Sequence, residues 1–189
     1  MRTERFEADA DESTRLAARE LRGAFGAFAT GVTVVTAVRP DGEPVGATAN
    51  SFTSVSLDPP LILWCLSNQS ASLTAFTPGS PFAVHVLGHE QRDLASHFAR
   101  RGREKFDVDP DWRRAPEPPH IASALCRLDC RVHGVLPGGD HWIIVGEVVS
   151  VTRQEGAPLV FHAGRFGRFT PDLGPDAAQA WKSLHGEWF

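Results

Sequence analysis

The stretch from Val45 to Leu66, VGATANSFTSVSLDPPLILWCL, limits the possible folds more than any other part of the chain. Its first half mixes Ala and Gly with hydroxyls and an amide, which suits a strand with an open, hydrogen-bonding surface. Asp58-Pro59-Pro60 then forces an extended corner, because proline restricts the residue before it. Leu61 to Leu66 is apolar on both faces and reads as a central buried strand. A polar strand turned back against an apolar one fixes part of a sheet with one wet region, and the rest of the chain must complete it.

Strand signals dominate the remainder. Ser13 or Asp11 can cap a helix running to about Phe28, with Ala17, Leu21, Ala24, Phe25 and Phe28 on one apolar face. Thr30-Gly31 breaks it, and Val32 to Val38 is β-branched. Pro40-Asp41-Gly42 signals a turn into a returning strand from about Pro44. Ser70 to Phe76 reads as a short helix capped by Ser70, Phe82 to Leu87 as a strand, and Glu90 to Arg101 as a helix. A proline-rich loop over 102–120 follows. Cys126, Leu128, Cys130 and Val132 alternate with Arg127, Asp129, Arg131 and His133, and a turn at Leu136 to Asp140 leads into a long strand, His141 to Val151. Leu159 to Phe161 and Phe166 to Phe169 are short edge pieces. Strands joined mostly by turns point to an antiparallel β-barrel with a few peripheral helices. The organisation expected is a flexible arm (1–12), one domain (13–170) and a tail (171–189).

Composition excludes several classes. A net charge of -4 and a 22% charged fraction give no general pull towards nucleic acid. No apolar run approaches the ~20 residues that span a bilayer, and the charged N-terminus lacks the apolar core of a secretory signal. Three cysteines in 189 residues suit a reducing cytoplasm. Cys126 and Cys130 would stand roughly 13 Å apart at ~3.3 Å per residue, too far for a disulfide or a shared metal. The histidines follow no metal-ligand spacing, so no metal is expected. Nucleotide-binding G-x-G-x-x-G, the P-loop and the hydrolase G-x-S-x-G are absent.

Three constellations remain, each with two readings. Ala47 to Ser54 (ATANSFTS) presents Thr48, Asn50, Ser51, Thr53 and Ser54. They can hold a phosphate or the polar edge of a flat heterocycle, or they can be solvent-facing strand residues. Arg100-Arg101-Gly102-Arg103-Glu104-Lys105 suits a phosphate partner, or simply a solvated helix end. Gly139-Asp140-His141 puts an exposed His beside a carboxylate at a turn, for ligand contact or by coincidence. Cys65 is a core thiol or a ring contact at the edge of the cradle.

Taken together these segments resemble the short-chain flavin reductase family, the reductase components of two-component flavin-dependent monooxygenases. The resemblance rests on Phe28 to Thr36 (FATGVTVVT), Gly46 to Leu61 (GATANSFTSVSLDPPL), Phe106-Asp107, Gly139-Asp140-His141 with Gly146, and Pro158 to His162 (PLVFH), in that order. It covers roughly residues 20–170. It implies a split β-barrel that binds FMN or FAD, takes hydride from NADH or NADPH and works as a homodimer. By analogy Thr48, Ala49, Asn50 and Ser51, in the Ala47 to Ser54 cradle, would touch the isoalloxazine edge and ribityl chain, with Thr30 and Ser54 close by. Leu66, Ser67 and Ser70 would hold the ring and phosphate, Arg101 and Lys105 the phosphate end, and Gly139, Asp140 and His141 the nicotinamide nucleotide. Two departures from the family pattern are Phe161 and Phe166, where a Tyr is frequent nearby, and the bulky Trp64.

Hydride transfer between two such cofactors needs little acid–base help, which agrees with the lack of a catalytic dyad. The function implied is NAD(P)H-dependent reduction of a diffusible flavin for a partner monooxygenase. The alternatives are a flavin-binding carrier or sensor without turnover and, on a related barrel, a pyridoxamine-phosphate-oxidase-like enzyme.

Overall fold

The computed structural model describes residues 12–100, 102, 105–106 and 117–171, with side chains from residue 18 onward. Helix α1 spans Glu12–Gly26. Ten strands follow: β1 (Thr30–Gly31), β2 (Thr33–Val38), β3 (Pro44–Ala49), β4 (Thr53–Leu57), β5 (Pro60–Ser67), β6 (Pro81–Val86), β7 (Cys126–Gly138), β8 (His141–Arg153), β9 (Leu159–His162) and β10 (Arg165–Arg168). Helix α2 (Arg92–Ala99) lies between β6 and β7.

Seven strands form one antiparallel sheet in the order β3-β2-β6-β7-β8-β5-β4, and β1-β9-β10 form a second, smaller one. This is the split-barrel architecture. Register shifts in β7, at Asp129/Cys130 and Val132/Gly134, and in β4, at Ser54/Ser56, mark bulges of the kind that bend a strand and raise its twist. Closure is completed after β3, where the Cys65 N–H of β5 donates to Ser51 Oγ at 2.9 Å. That hydroxyl stands where a ladder carbonyl would otherwise be.

The barrel core holds Val35, Trp64, Phe76, Phe82, Val84 and Ile144. Phe76 meets Trp64 and Phe82 edge-on, with ring centroids 5.0 and 5.9 Å away. At Gly146 an added Cβ would lie 2.4 Å from the Phe82 ring, so only glycine lets β8 pass over it. A second cluster, around Val32, Val34, Leu87, Phe98 and Leu159, packs α2 and the small sheet on the barrel's outside.

The β-branched runs form strands as their sequence dictates, and the Pro40-Asp41-Gly42 turn joins β2 to β3 in register from Val38↔Pro44 to Thr33↔Ala49. Several expectations are corrected. The Val45 to Ser56 stretch is two strands, because the chain bends at Asn50-Ser51-Phe52. β5 is second from the sheet edge, and Leu61, Leu63 and Cys65 are only half-buried. Ser70 does not cap a helix: only a 3-10 turn forms, at Leu73–Ala75 after Ser72. α2 ends at Ala99. Among the described residues nothing covers the expected apolar stripe, with Phe25 of α1 71% and Phe28 just beyond it 77% exposed. The arm and tail lie outside the described residues, except at Glu12 and Pro171. Among the described residues no helix is long and apolar enough to cross a membrane.

Candidate functional site

A cavity of about 480 Å3 opens between β3, β5 and the C-terminal end of α2. Ala47, Thr48, Ala49, Asn50 and Ser51 form one wall, and Leu66, Ser67 and Ser70 another. Lys105 and His141 stand at its rim. Ten residues singled out from four separate stretches of sequence thus line one space.

Strand pairing explains the convergence. β5 and β8 are registered so that Ser67 faces His141, which carries the Gly-Asp-His turn to the cavity. That turn is a two-residue loop between Gly138 and His141, and Gly139 takes a φ of 74° that glycine adopts without strain. Asn68 holds it from the side, its Nδ2 donating to Gly139 O at 2.9 Å and its backbone N–H to Asp140 O at 3.0 Å. His141 Nδ1–H donates to Asp140 Oδ1 at 2.7 Å. This fixes the proton on Nδ1 and leaves Nε2 as the ring's other polar atom. The same hydrogen bond holds the Asp140 carboxyl below the usual range, helped by the charge of Arg22 on α1.

The hydroxyls divide by task. Thr48 Oγ1 donates to Ala95 O at 2.6 Å and so ties β3 to α2. Ser51 closes the barrel as described. Ser67 Oγ and Ser70 Oγ accept the N–H groups of Gln69 and Ser72 at 3.3 and 3.2 Å, and a hydroxyl that accepts still has its own hydrogen to donate. Lys105 Nζ donates to Gly46 O at 2.8 Å and to Phe98 O at 2.9 Å. Its ammonium therefore caps the end of α2 and complements the helix dipole there. Burial pushes its pKa down.

Not every expected residue reaches the cavity. Thr30 pairs with Phe161 in the small sheet, and its Oγ1 is buried without a partner. Ser54 is exposed on β4, away from the cavity wall. Gly139 and Asp140 shape the turn without lining the cavity. Arg101 lies outside the described residues. Conversely, Trp64, Gln69, Ser72, Phe98 and Arg100 also line the space. The basic run pointed towards Arg100, but Phe98 reads from sequence as helix core. Trp64 is fully buried, and its Nε1 has no partner. Cys65 is half-buried and lines the cavity. All three cysteines are free, and among the described residues no group of three His, Cys, Asp or Glu side chains is placed to hold a metal.

The donor set fits a flavin. Small side chains on β3 leave room for a flat ring, hydroxyls and an amide stand in the same lining, and the cations Arg100 and Lys105 suit a phosphate.

Residues 25–170 match the flavin reductase like domain, and the chain belongs to that family. It is 50% identical over 153 residues to the FMN reductase (NADH) SmoA of Agrobacterium fabrum, across 80% of this chain and 86% of that one. It is 41% identical over 152 residues to the reductase component of a 4-nitrophenol 4-monooxygenase/4-nitrocatechol 2-monooxygenase of Rhodococcus opacus, across 80% and 81%. Among solved structures, the Streptomyces globisporus NADH:FAD oxidoreductase SgcE6, in complex with NAD and FAD fragments, superposes with a TM-score of 0.74 at 44% identity. That superposition covers 88% of this chain and 99% of the other.

Proposed function

We propose that the protein is an NAD(P)H-dependent flavin reductase that passes hydride to FMN or FAD and supplies reduced flavin to a partner monooxygenase. One observation supports this reading most: the Ala47 to Ser51 wall, the Leu66 to Ser70 wall and His141 of the Gly139-Asp140-His141 turn line a single cavity. A bound flavin supplies the hydride acceptor and the redox chemistry.

The chain's own task is to bind, orient and exclude water. The Asn50 amide and the backbone of Ala47 to Ser51 present donors to the ring's polar edge, where negative charge develops on reduction. Leu66 and Ser67 flank the ring. Ser70, Lys105 and Arg100 serve the phosphate end, with Arg101 of the same basic run. His141, oriented by Asp140, serves the nicotinamide side. No residue is asked to move a proton. The turn beside the cavity favours turnover over a flavin-binding module without it.

Two further calls belong to this reading. The enzyme works as a homodimer, supported by exposed Leu21, Phe25 and Phe28 near α1 and Val55 and Leu57 on β4, apolar surface that a second copy can cover. It works in the cytoplasm, supported by its free thiols.

The test is NADH or NADPH oxidation by purified protein with FMN, FAD or riboflavin added. Flavin-dependent loss of nicotinamide absorbance is expected, and its absence under every pairing contradicts the proposal. His141→Ala should raise KM for the nicotinamide donor more than it weakens flavin binding. Equal loss of both removes His141 from that role.

A further inference from the structure

One residue joins the two sides of the cavity that the proposed reaction uses. Asn68 follows Ser67, the last residue of β5, within the turn that carries Ser67 and Ser70 to the cavity, and it reaches across to the β7–β8 turn. Its own side chain stands outside the cavity lining. We propose that Asn68 is a positioning residue for the nicotinamide donor: its side chain locks the Gly139-Asp140 peptide in the orientation that sets Asp140 against His141. The proposal rests on the reading of His141 as the residue that serves the nicotinamide side.

The lock is geometric. Gly139 has a φ of 74° and Asp140 a negative φ, the type II′ form of a two-residue hairpin loop. The type I′ form differs by a flip of the peptide between these two residues, which takes the second one to a positive φ. A Gly-Asp loop accepts both forms, because aspartate is among the few residues that tolerate the left-handed region. Gly139 O belongs to the peptide that flips, and Asn68 Nδ2 donates to it at 2.9 Å. Asn68 N–H donates to Asp140 O at 3.0 Å and fixes the next peptide. The flip would carry the Asp140 Cβ to the other face of the turn. With its carboxylate 95% exposed, no packing holds Asp140 against His141 Nδ1, 2.7 Å away; the turn backbone does.

The flavin wall does not depend on this side chain. The Ser67–Ser70 turn closes through Ser70 N–H to Ser67 O at 2.9 Å and Gln69 N–H to Ser67 Oγ at 3.3 Å. Truncating Asn68 leaves both bonds in place, along with its own backbone N–H. The two cofactors should therefore respond differently to one substitution.

Steady-state kinetics and FMN titration of wild type, Asn68→Ala, His141→Ala and the double variant test this, with heteronuclear NMR of the His141 ring nitrogens as a readout that needs no turnover. Asn68→Ala should raise KM for NAD(P)H about fivefold, the loss of one hydrogen bond of ordinary strength, and leave kcat and the FMN Kd within about twofold. In the double variant KM should equal that of His141→Ala, because Asn68 acts only through that ring. The ring, held in the Nδ1–H form in wild type, should shift towards the Nε2–H form in Asn68→Ala. An unchanged KM, an equal loss of flavin affinity, or additive effects in the double variant overturn the proposal. Asn68→Asp keeps the size and removes the donor, so it repeats the test should the alanine variant not fold. A wild type without NAD(P)H oxidation sinks the reading of the site and leaves the lock to be judged by the ring shift alone: present, the lock stands; absent, it falls.

Discussion

On one side of the barrel, Thr48, Asn50, Ser67 and Ser70 line a cavity of about 480 Å3. On the face of β7 opposite Leu128, His120, Arg127 and Asp129 stand beside a cavity of about 370 Å3. Both regions are polar, yet they are built differently. In the second, the charges answer one another. Arg127 Nη1 donates to His120 Nδ1 at 2.9 Å, Arg127 Nη2 meets Asp129 Oδ2 at 3.2 Å, and Ser150 Oγ donates to the same oxygen at 2.6 Å. Beneath them His85 is fully buried, with Nδ1–H donating to Val34 O at 3.1 Å. In the cleft the Ser67 and Ser70 hydroxyls accept a backbone N–H and still have a hydrogen to donate, and the small side chains around them leave the space open. Polar residues paired across strands hold a segment in place, here Pro119 to Ala124 over β2 and β6. Polar residues left facing a cavity wait for a ligand.

The largest test breaks the cleft from behind. Trp64 lines it and fills the barrel core. Trp64→Ala should cost about 3–5 kcal/mol of unfolding free energy and abolish flavin binding together with it. The urea midpoint checks the first and fluorescence quenching of added FMN the second. Retained affinity in a destabilised protein would separate the cleft from the core.

Next comes acid. Burial pushes His85 down to about 4 from its ordinary 6.5. The unfolded chain therefore binds a proton that the folded chain refuses as pH falls through 6.5. Stability is lost between pH 6.5 and about 4, on the order of 3 kcal/mol, and the loss is constant below that. Melting temperature against pH should fall in this window for wild type and stay flatter in His85→Leu. Equal slopes would remove His85 as the cause.

The smallest effect sharpens the contrast. Asp129→Ala should cost about 1–2 kcal/mol, since Arg127 and Ser150 lose their acceptor at a half-buried site. Flavin affinity should be unchanged within error in a titration. A parallel loss of affinity would mean that the two regions are coupled.

Much of this was legible in the sequence because it is local. The β-branched run Val32 to Val38 and the alternation from Cys126 to Val132 declare strands by themselves. Ala47 to Ser51, Ser67, Ser70 and His141 could be tied to one site because a family pattern links them in order. What the sequence left hidden depended on partners distant in the chain. The helical stripe promised a buried face, but burial needs a surface to meet, and Phe25 and Phe28 find none among the described residues. Ser70 has the right type for a helix cap, yet tertiary packing allows only a 3-10 turn. Lys105 was read as a phosphate cation, and nothing local could reveal that its Nζ also clamps Gly46 O to Phe98 O. Thr30 and Ser54 adjoin the motif in sequence and diverge from it in space, because β1 leaves for the small sheet and β4 follows the bend at Asn50.

Hydrogen–deuterium exchange with and without saturating FMN addresses the contrast between the two regions in one measurement. Amides of Ala47 to Ser51 and Leu66 to Ser72 should exchange more slowly with flavin present, while Arg127 to Asp129 and Val148 to Ser150 stay unchanged. Protection centred on the Arg127–Asp129 face, or no protection at β3 and β5, would contradict the assignment of the cleft as the ligand site.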